Sequence, residues 1–156
     1  MIFALQFILG YIYGHFLEWF IHKDILHKYG KKKKHPFSFH YRSHHRAAKK
    51  NGFIDEAYLS SIFSWDAATK EVASLLFLIA IHIPVYFVAP GLFAACVFSV
   101  AEYYYKHIRA HRNPEWAKRN LVWHYDHHMG KIQDANWGVR SDFVDRLLGT
   151  RIYYTK

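Results

Sequence analysis

Histidine is the residue whose number and spacing stand out in this chain. The sequence holds 13 histidines in 156 residues, and ten of them fall into four tight groups. The groups are His22-x4-His27, His40-x3-His44-His45, His107-x3-His111 and His124-x2-His127-His128. Imidazole nitrogen suits iron, zinc, copper and nickel, whereas calcium and magnesium prefer oxygen ligands. One ion takes about four to six ligands, so ten histidines predict a centre with two transition-metal ions.

Helical geometry indicates which histidines can act together. Residues three or four apart on an α-helix share a face. This spacing predicts three sets of neighbours: His107 with His111, His40 with His44, and His124 with His127 and His128. His22 and His27 are five apart, which separates them by about 140° on an ideal α-helix. Two alternatives remain open for this pair, a helix end between them or two different metals.

Carboxylates near the histidines are expected to offset the charge of the two cations. A carboxylate that accepts an imidazole N–H also fixes the tautomer of the ring. The carboxylate candidates for this role are Glu18, Asp126 and Asp134, with Asp24 and Glu102 as weaker ones, and the neutral amide of Asn136 is a further candidate for supporting a ligand. An ordinary surface carboxylate is the alternative interpretation for each acid. His15, His35 and His82 lie outside the four groups and are interpreted as a helix-packing residue, a member of the basic surface and a residue of a membrane helix near Pro84.

Three apolar runs predict the elements that carry the histidines. Residues 2–21 are long enough, at about 1.5 Å per residue, to cross a hydrocarbon core of about 30 Å. Residues 72–88 and 92–105 predict a helical hairpin that reverses at Pro90 and Gly91. Residues 1–14 lack a basic start and a cleavage site, so no signal peptide is predicted. Buried core helices of a soluble protein are the alternative interpretation of these runs.

The prediction is an all-α integral membrane protein with one domain, residues 1–156. A membrane helix (1–21), a cytosolic histidine-rich segment (22–70), a membrane hairpin (71–105) and a cytosolic histidine-rich cap (106–156) follow one another. Lysine and arginine cluster after residue 22 and again at 106–119, and positive charge marks the cytosolic side. The histidine site is therefore expected to face the cytosol. The lone cysteine, Cys96, excludes an internal disulfide and a cysteine-based zinc site.

The order of the four histidine groups resembles that of the membrane fatty acid hydroxylase and sterol desaturase superfamily. Asn136-Trp-Gly138 and Asp145-Arg-Leu-Leu-Gly149-Thr150 are similar to the C-terminal signature of these proteins. The second histidine group has three residues before its paired histidines where many hydroxylases have two, and Val144 stands where the family usually has tryptophan. The short chain and its histidine layout are also similar to bacterial carotenoid hydroxylases.

The resemblance implies a di-iron centre at the ten histidines that uses O2 and two electrons to hydroxylate a C–H bond of a lipid, whether fatty acyl, sterol-like or carotenoid. Zinc can occupy such nitrogen sites as well. No haem, flavin or iron-sulfur motif occurs in the sequence, so a redox partner of ferredoxin or cytochrome b5 type is expected to supply the electrons. Residues 31–50 carry positive charge for docking it or for contacting lipid headgroups. The net charge of +9 also suits nucleic acid, but no recognition fold accompanies it, and none is expected as a partner.

Two rival functions share these features. A lipid desaturase would use the same metal site, and only the fate of the substrate differs. A metal-binding or metal-transport membrane protein without catalysis would also need many histidines, but a transporter places its ligands near the middle of the membrane. The histidine groups here flank the apolar runs, which favours an enzyme.

Overall fold

The computed structural model describes residues 1–60 and 64–154, and this part of the chain contains helices and no β-strand. The all-α prediction is confirmed. The α-helices are α1 (Ile2–Phe20), α2 (His45–Lys50), α3 (Ala67–Val88), α4 (Pro90–Arg112), α5 (Pro114–Asn120), α6 (Val122–Met129) and α7 (Phe143–Leu147). Two π-helical segments, π1 (Ile21–Tyr29) and π2 (His40–His44), and a 3-10 turn (Glu56–Tyr58) complete the described elements.

Helices α1 and α4 pack closely because small residues line their contact. A Cβ atom added to Gly10 would lie 2.9 Å from Ala95 Cβ and 2.9 Å from the backbone of Leu92. A Cβ added to Gly14 would lie 2.6 Å from Ser99 Oγ. Small residues four apart on both helices allow the backbones to approach in this way. The contact sets the position of α1 and therefore of π1, which follows it directly.

Helices α3 and α4 form the predicted hairpin. Asp66 caps α3 by accepting a hydrogen bond from the backbone N–H of Thr69 at 3.2 Å. Only Ala89 separates Val88, the last residue of α3, from Pro90, which begins α4 and lacks the N–H that a first turn leaves unpaired.

The limits of this hairpin differ from those predicted by hydropathy. Helix α3 begins at Ala67, inside the segment predicted to be cytosolic, and α4 continues to Arg112, well past residue 105. Hydropathy detects only where apolar side chains give way to polar ones. The backbone hydrogen bonds of a helix can continue into the polar residues. The extra turns of α4 bring His107 and His111 to the site.

Apolar side chains cover the outside of the long helices. Helix α3 is long and apolar enough to cross a membrane, and hardly any of its apolar span is buried. Large apolar side chains are also exposed along α1. Such contiguous exposed apolar surface is typical of contact with a membrane. Examples on the two helices are Ile2, Phe3, Leu5, Ile8, Leu9, Leu76, Phe77, Ile81 and Phe87.

The region that contains the histidine groups has an interior with a small apolar part and a large polar part. Phe53, Ala110, Ala117 and Leu121 form an apolar cluster under Trp116. Most of the other large, fully buried side chains are histidines. Imidazole rings therefore make up most of the interior of this histidine-rich region.

We expect Gly10→Val to lower the free energy of unfolding by about 1–3 kcal/mol, because the new side chain would force α1 away from the backbone of Leu92. Thermal unfolding in detergent measures the effect. Ala4→Val adds bulk at an exposed position of the same helix and serves as the control. Equal melting temperatures for the two variants would contradict the close α1–α4 packing.

Candidate metal centre

All ten predicted ligand histidines are buried, each at most 3% exposed. Nine of them form two groups in which one nitrogen from every ring lies within 4.8 Å of the others. The five-histidine group consists of His22, His27, His40, His45 and His127. The four-histidine group consists of His44, His107, His111 and His128. The tenth, His124, lies beside the four-histidine group, with its Nε2 3.2 Å from His111 Nε2.

The two groups are adjacent, and pairs of consecutive histidines connect them. His44 and His127 belong to different groups from their chain neighbours His45 and His128. Consecutive helical residues point about 100° apart, so each pair directs one ring to each group. The rings of His45 and His128 stack across the boundary at 4.1 Å. The prediction that His124, His127 and His128 all act on one side therefore differs from the structure.

The π-helix π1 explains the spacing of five between His22 and His27. Its backbone hydrogen bonds join residues five apart, as from Gly30 N to Ile25 O at 3.0 Å. Residues five apart therefore lie one turn apart, whereas on an α-helix they would point in different directions. Both rings belong to the five-histidine group. The structure thus replaces the two alternatives drawn from the sequence with a third.

The same geometry changes the pairing in π2. The spacing of four predicted that His40 and His44 act together, but His40 shares its group with His45, and their Nε2 atoms are 3.2 Å apart. His44 belongs to the other group. The wider turn of a π-helix moves the shared face from the fourth residue to the fifth.

The nitrogen atoms of the five-histidine group are spaced like ligands of one ion. The Nε2 atoms of His22 and His40 are 3.0 Å apart, and those of His27 and His45 are also 3.0 Å apart. His127 Nε2 lies 3.2 Å from His45 Nε2. Two nitrogens that bind one ion at about 2.0–2.1 Å lie roughly 2.9–3.4 Å apart. The distances fit a transition-metal site.

Backbone carbonyls determine which nitrogen of several rings is free to bind. The Nδ1 atom of His22 donates to Trp137 O at 2.5 Å, and that of His127 donates to Ala135 O at 2.6 Å. A carbonyl oxygen only accepts hydrogen bonds, so Nδ1 carries the proton and Nε2 keeps its lone pair. These lone pairs face the other nitrogens of the group, which is the state that a metal ligand requires.

Phe53 holds His111 in the same way. Its carbonyl accepts from His111 Nδ1 at 2.8 Å, and its ring stacks on the imidazole at 4.5 Å. The backbone of Phe53 has a φ of 85°, which is costly for a bulky residue. The surrounding contacts maintain this strained turn, and the turn orients a candidate ligand.

Two buried carboxylates support the four-histidine group, and the sequence did not reveal either. Asp55 Oδ2 lies 2.7 Å from His44 Nδ1, and Glu71 Oε1 lies 2.7 Å from His107 Nδ1. Tyr58 donates to the other oxygen of Glu71 at 2.5 Å. Both acids come from segments outside the histidine groups, so no local spacing marks them. The Nε2 atoms of His44 and His107 have no partner among the described residues, and both point away from their carboxylates as metal ligands do.

The candidates drawn from the sequence lie in several places. Asp134 lies 3.4 Å from His27 Nδ1 and binds Lys31 at 2.5 Å. The hydrogen bond from His27, together with Lys31, holds the pKa of Asp134 well below its usual range. Asp126 pairs with Arg151 at 2.9 Å. Asp24 pairs with Lys28.

Glu18 has a different role from the one predicted. Its carboxylate accepts from the backbone N–H of Arg140 at 3.0 Å and pairs with the Arg140 side chain at 2.5 Å. It thereby ties α1 to the C-terminal segment that holds His22 through Trp137 O. Glu102 pairs with Lys106 at 2.8 Å and lies outside both groups. The histidines outside the four sequence groups, His15, His35 and His82, also lie outside both metal groups.

The C-terminal signature residues form a clamp behind the histidines. Asp145 accepts from the backbone N–H groups of Trp137 at 2.9 Å and Gly138 at 2.7 Å. It also accepts from Thr150 Oγ1 at 2.6 Å. Asn136 adopts a φ of 60° and binds both backbone polar groups of Ile152. These bonds position the carbonyls that orient His22 and His127.

Burial keeps the rings of the site neutral. Removal from water disfavours the charged imidazolium, and neighbouring imidazoles add to this effect. These causes lower the pKa well below the usual value for His22, His40, His45, His111, His124, His127 and His128. Neutral rings are ready to bind a metal ion without first losing a proton.

An apolar cavity of about 320 Å³ reaches the five-histidine group. Helices α1, α3 and α4 line it, and His22 and His40 form part of its wall. Its apolar lining includes Leu17, Ile21, Phe39, Leu75, Leu78 and Val100. A long apolar molecule bound there would lie against two candidate ligands of one metal group.

Comparison with known proteins identifies one family. A family model described as fatty acid hydroxylase matches residues 7–150. The match confirms the resemblance seen in the histidine groups and the C-terminal signature. No curated protein and no solved structure matches the chain.

We expect Asp55→Asn to weaken metal binding at the four-histidine group by about 10–100-fold, because His44 would lose its carboxylate partner. Zinc titration in competition with a chromophoric chelator measures this affinity. Asp24→Asn is the control, since this acid pairs with Lys28 outside both groups. If both variants bind two ions as tightly as the unmodified chain, Asp55 has no role in holding the metal.

Proposed function

Because the chain belongs to the fatty acid hydroxylase family, we propose that it is a membrane-bound di-iron oxygenase that hydroxylates a C–H bond of a lipid. The observation that carries this proposal is the apolar cavity with His22 and His40 in its wall. A lipid chain bound there would present its C–H bonds to the five-histidine group. The fatty acyl, sterol-like and carotenoid classes all suit such a lining.

Two iron ions, held by the five-histidine and four-histidine groups, would supply the activation of O2 that attack on an unreactive C–H bond requires. The overall reaction consumes one O2, two electrons and two protons and yields the hydroxylated lipid and one water. Iron is proposed because the reaction needs a metal that changes oxidation state, whereas zinc does not. The nitrogen donors accept either metal.

The residues of the chain would position the lipid and the histidine rings and exclude water from the cavity. The apolar walls from α1, α3 and α4 hold the lipid and keep water from the cavity. The carbonyls of Trp137 and Ala135 hold the rings of His22 and His127 in one orientation. Asp55 and Glu71 orient the other group and add negative charge to balance the cations.

The proposed membrane arrangement places α1, α3 and α4 in the bilayer and the histidine site at its cytosolic face. The exposed apolar surfaces of α1 and α3 support the membrane part. The lysines and arginines of residues 22–70 and 106–156 support the cytosolic side. Residues 1–156 then form one domain, with a membrane half and a cytosolic cap.

A basic face is the proposed docking site for an acidic electron donor of ferredoxin or cytochrome b5 type. Arg42, Arg46, Lys49 and Lys50 surround a hollow of about 380 Å³. His45, a candidate ligand of the five-histidine group, forms part of its lining. A negatively charged donor would be attracted to this face and would approach the metal centre through a single imidazole.

A desaturase would use the same metal site and remove two hydrogens instead of adding oxygen. A metal carrier is less suited to the structure, because its ligands would need to release the ion, whereas these rings are buried and fixed by carbonyls and carboxylates. Family membership also favours an oxidoreductase.

Cells that express the chain with an electron donor are expected to contain a lipid heavier by one oxygen atom. His127→Ala should abolish this product, because the variant removes a donor from the five-histidine group. Mass spectrometry of total lipids, with carotenoid precursors supplied in parallel, measures it. His35→Ala, a histidine outside both groups, should retain the product.

A product that has lost two hydrogens would favour the desaturase. If no lipid changes with any donor, and the purified chain holds fewer than two metal ions, the oxygenase proposal is wrong.

The double variant Arg46→Glu and Lys49→Glu is expected to weaken binding of a plant-type ferredoxin roughly tenfold, because two attractive charges become repulsive. Binding to the immobilised chain at low and high salt measures this, and salt should reduce the difference. Lys118→Glu reverses a charge outside the hollow and is the control. If the double variant instead loses only its affinity for anionic lipid vesicles, the basic face binds headgroups and the docking proposal fails.

A further inference from the structure

Two unsatisfied polar atoms lie at the wall of the apolar cavity, away from the histidines. Ser99 and Arg140 both line the cavity. Ser99 Oγ and Arg140 Nη2 are buried and have no hydrogen-bond partner among the described residues. A buried donor without a partner is costly, so such atoms in a substrate cavity are suited to a substrate group.

The two atoms lie beside the same point of α1. A Cβ atom added to Gly14 would be 2.6 Å from Ser99 Oγ and 3.2 Å from Arg140 Nη2. Gly14 also lines the cavity. Gly14 packs tightly here, so the Ser99 hydroxyl and the Arg140 guanidinium N–H lie close together at one place in the cavity wall.

The charges around Arg140 determine which substrate group suits these two atoms. Its Nε pairs with Glu18 at 2.5 Å, and its Nη1 lies 3.5 Å from Glu102. Glu102 also pairs with Lys106 at 2.8 Å. Two positive and two negative side chains balance, so the Nη2 atom offers a hydrogen bond without a net positive charge. An anionic carboxylate gains little here compared with a neutral oxygen.

We propose that Gly14, Ser99 and Arg140 form a subsite for one neutral oxygen of the lipid substrate, such as a hydroxyl, carbonyl or ester oxygen. This inference rests on the proposed function and narrows its substrate class. The substrate is then an apolar molecule with a neutral polar group, not a hydrocarbon and not a free fatty acid.

The subsite also sets a distance. Gly14 precedes His22 by eight residues, which is about 12 Å along a helix. An oxygen bound beside Gly14 would place a carbon roughly 12 Å away next to His22. The subsite would thus select the carbon that is oxidised by holding the far end of the molecule.

Competition binding with the zinc-loaded full chain in detergent tests the subsite without any turnover. The assay measures how well unlabelled octadecane, octadecanol, methyl octadecanoate and octadecanoate each displace bound tritiated octadecanol. The alcohol and the ester are expected to compete about tenfold better than the hydrocarbon, because each satisfies buried donors. Octadecanoate should compete no better than the alcohol.

Ser99→Ala should reduce the preference for octadecanol over octadecane severalfold. Ser74→Ala is the matched control, since this hydroxyl lines the same cavity but already donates to Lys70 O at 2.7 Å. Arg140→Lys, which retains the charge beside Glu18, should have the same effect as Ser99→Ala.

Equal binding of octadecane and octadecanol, or equal effects of Ser99→Ala and Ser74→Ala, would overturn the subsite alone. Octadecanoate binding most tightly would show an anion site instead. If none of the four compounds binds, the cavity does not accept straight-chain lipids and the subsite proposal fails, whereas the oxygenase proposal is decided separately by the oxygenated lipid that depends on His127.

Discussion

The close approach of buried imidazole nitrogens is the constraint on which this structure depends. Ten imidazoles lie in the interior, and several have Nε2 atoms about 3 Å apart. Without a cation, at most one nitrogen of such a pair can donate to the other, and the remaining lone pairs are buried without a donor. A bound metal ion would use these lone pairs for coordination. The apolar cluster around Phe53 is small, so metal binding would contribute a large part of the stability of the histidine-rich region.

The two groups of histidines have different surroundings, so the two metal ions that they would hold are suited to different roles. The five-histidine group borders the apolar cavity and is oriented mainly by backbone carbonyls. The four-histidine group is buried behind it and is supported by Asp55 and Glu71. Carboxylates lower the net charge of a metal site and favour its more oxidised state. The ion nearer the lipid would then be the more electron-poor of the two.

Much of this arrangement could be predicted from the sequence, and the failures have specific causes. Hydropathy located the long helices, and histidine spacing located the ligands, because both signals are local. The pairing of His40 with His45 could not be predicted, since it depends on π-helical turns that an α-helical period does not describe. Glu71 was missed because α3 brings it to His107 from a distance of 36 positions, the difference between the two residue numbers. Glu18 was predicted to support a histidine because it lies near His22 in the sequence, but its carboxylate pairs with Arg140 instead.

The clamp between α1 and residues 136–150 has a consequence for biosynthesis. His22 is oriented by Trp137 O, and Trp19 hydrogen-bonds to Asp145 and Thr150, more than 120 positions later. While the ribosome extends the chain, α1 and π1 are already made, but His22 in π1 has no fixed orientation. The histidine-rich region can mature only after Trp137, Asp145 and Thr150 have left the ribosome. A chain that stops before Asp145 would keep all ten histidines and still fail to hold them in position for a metal.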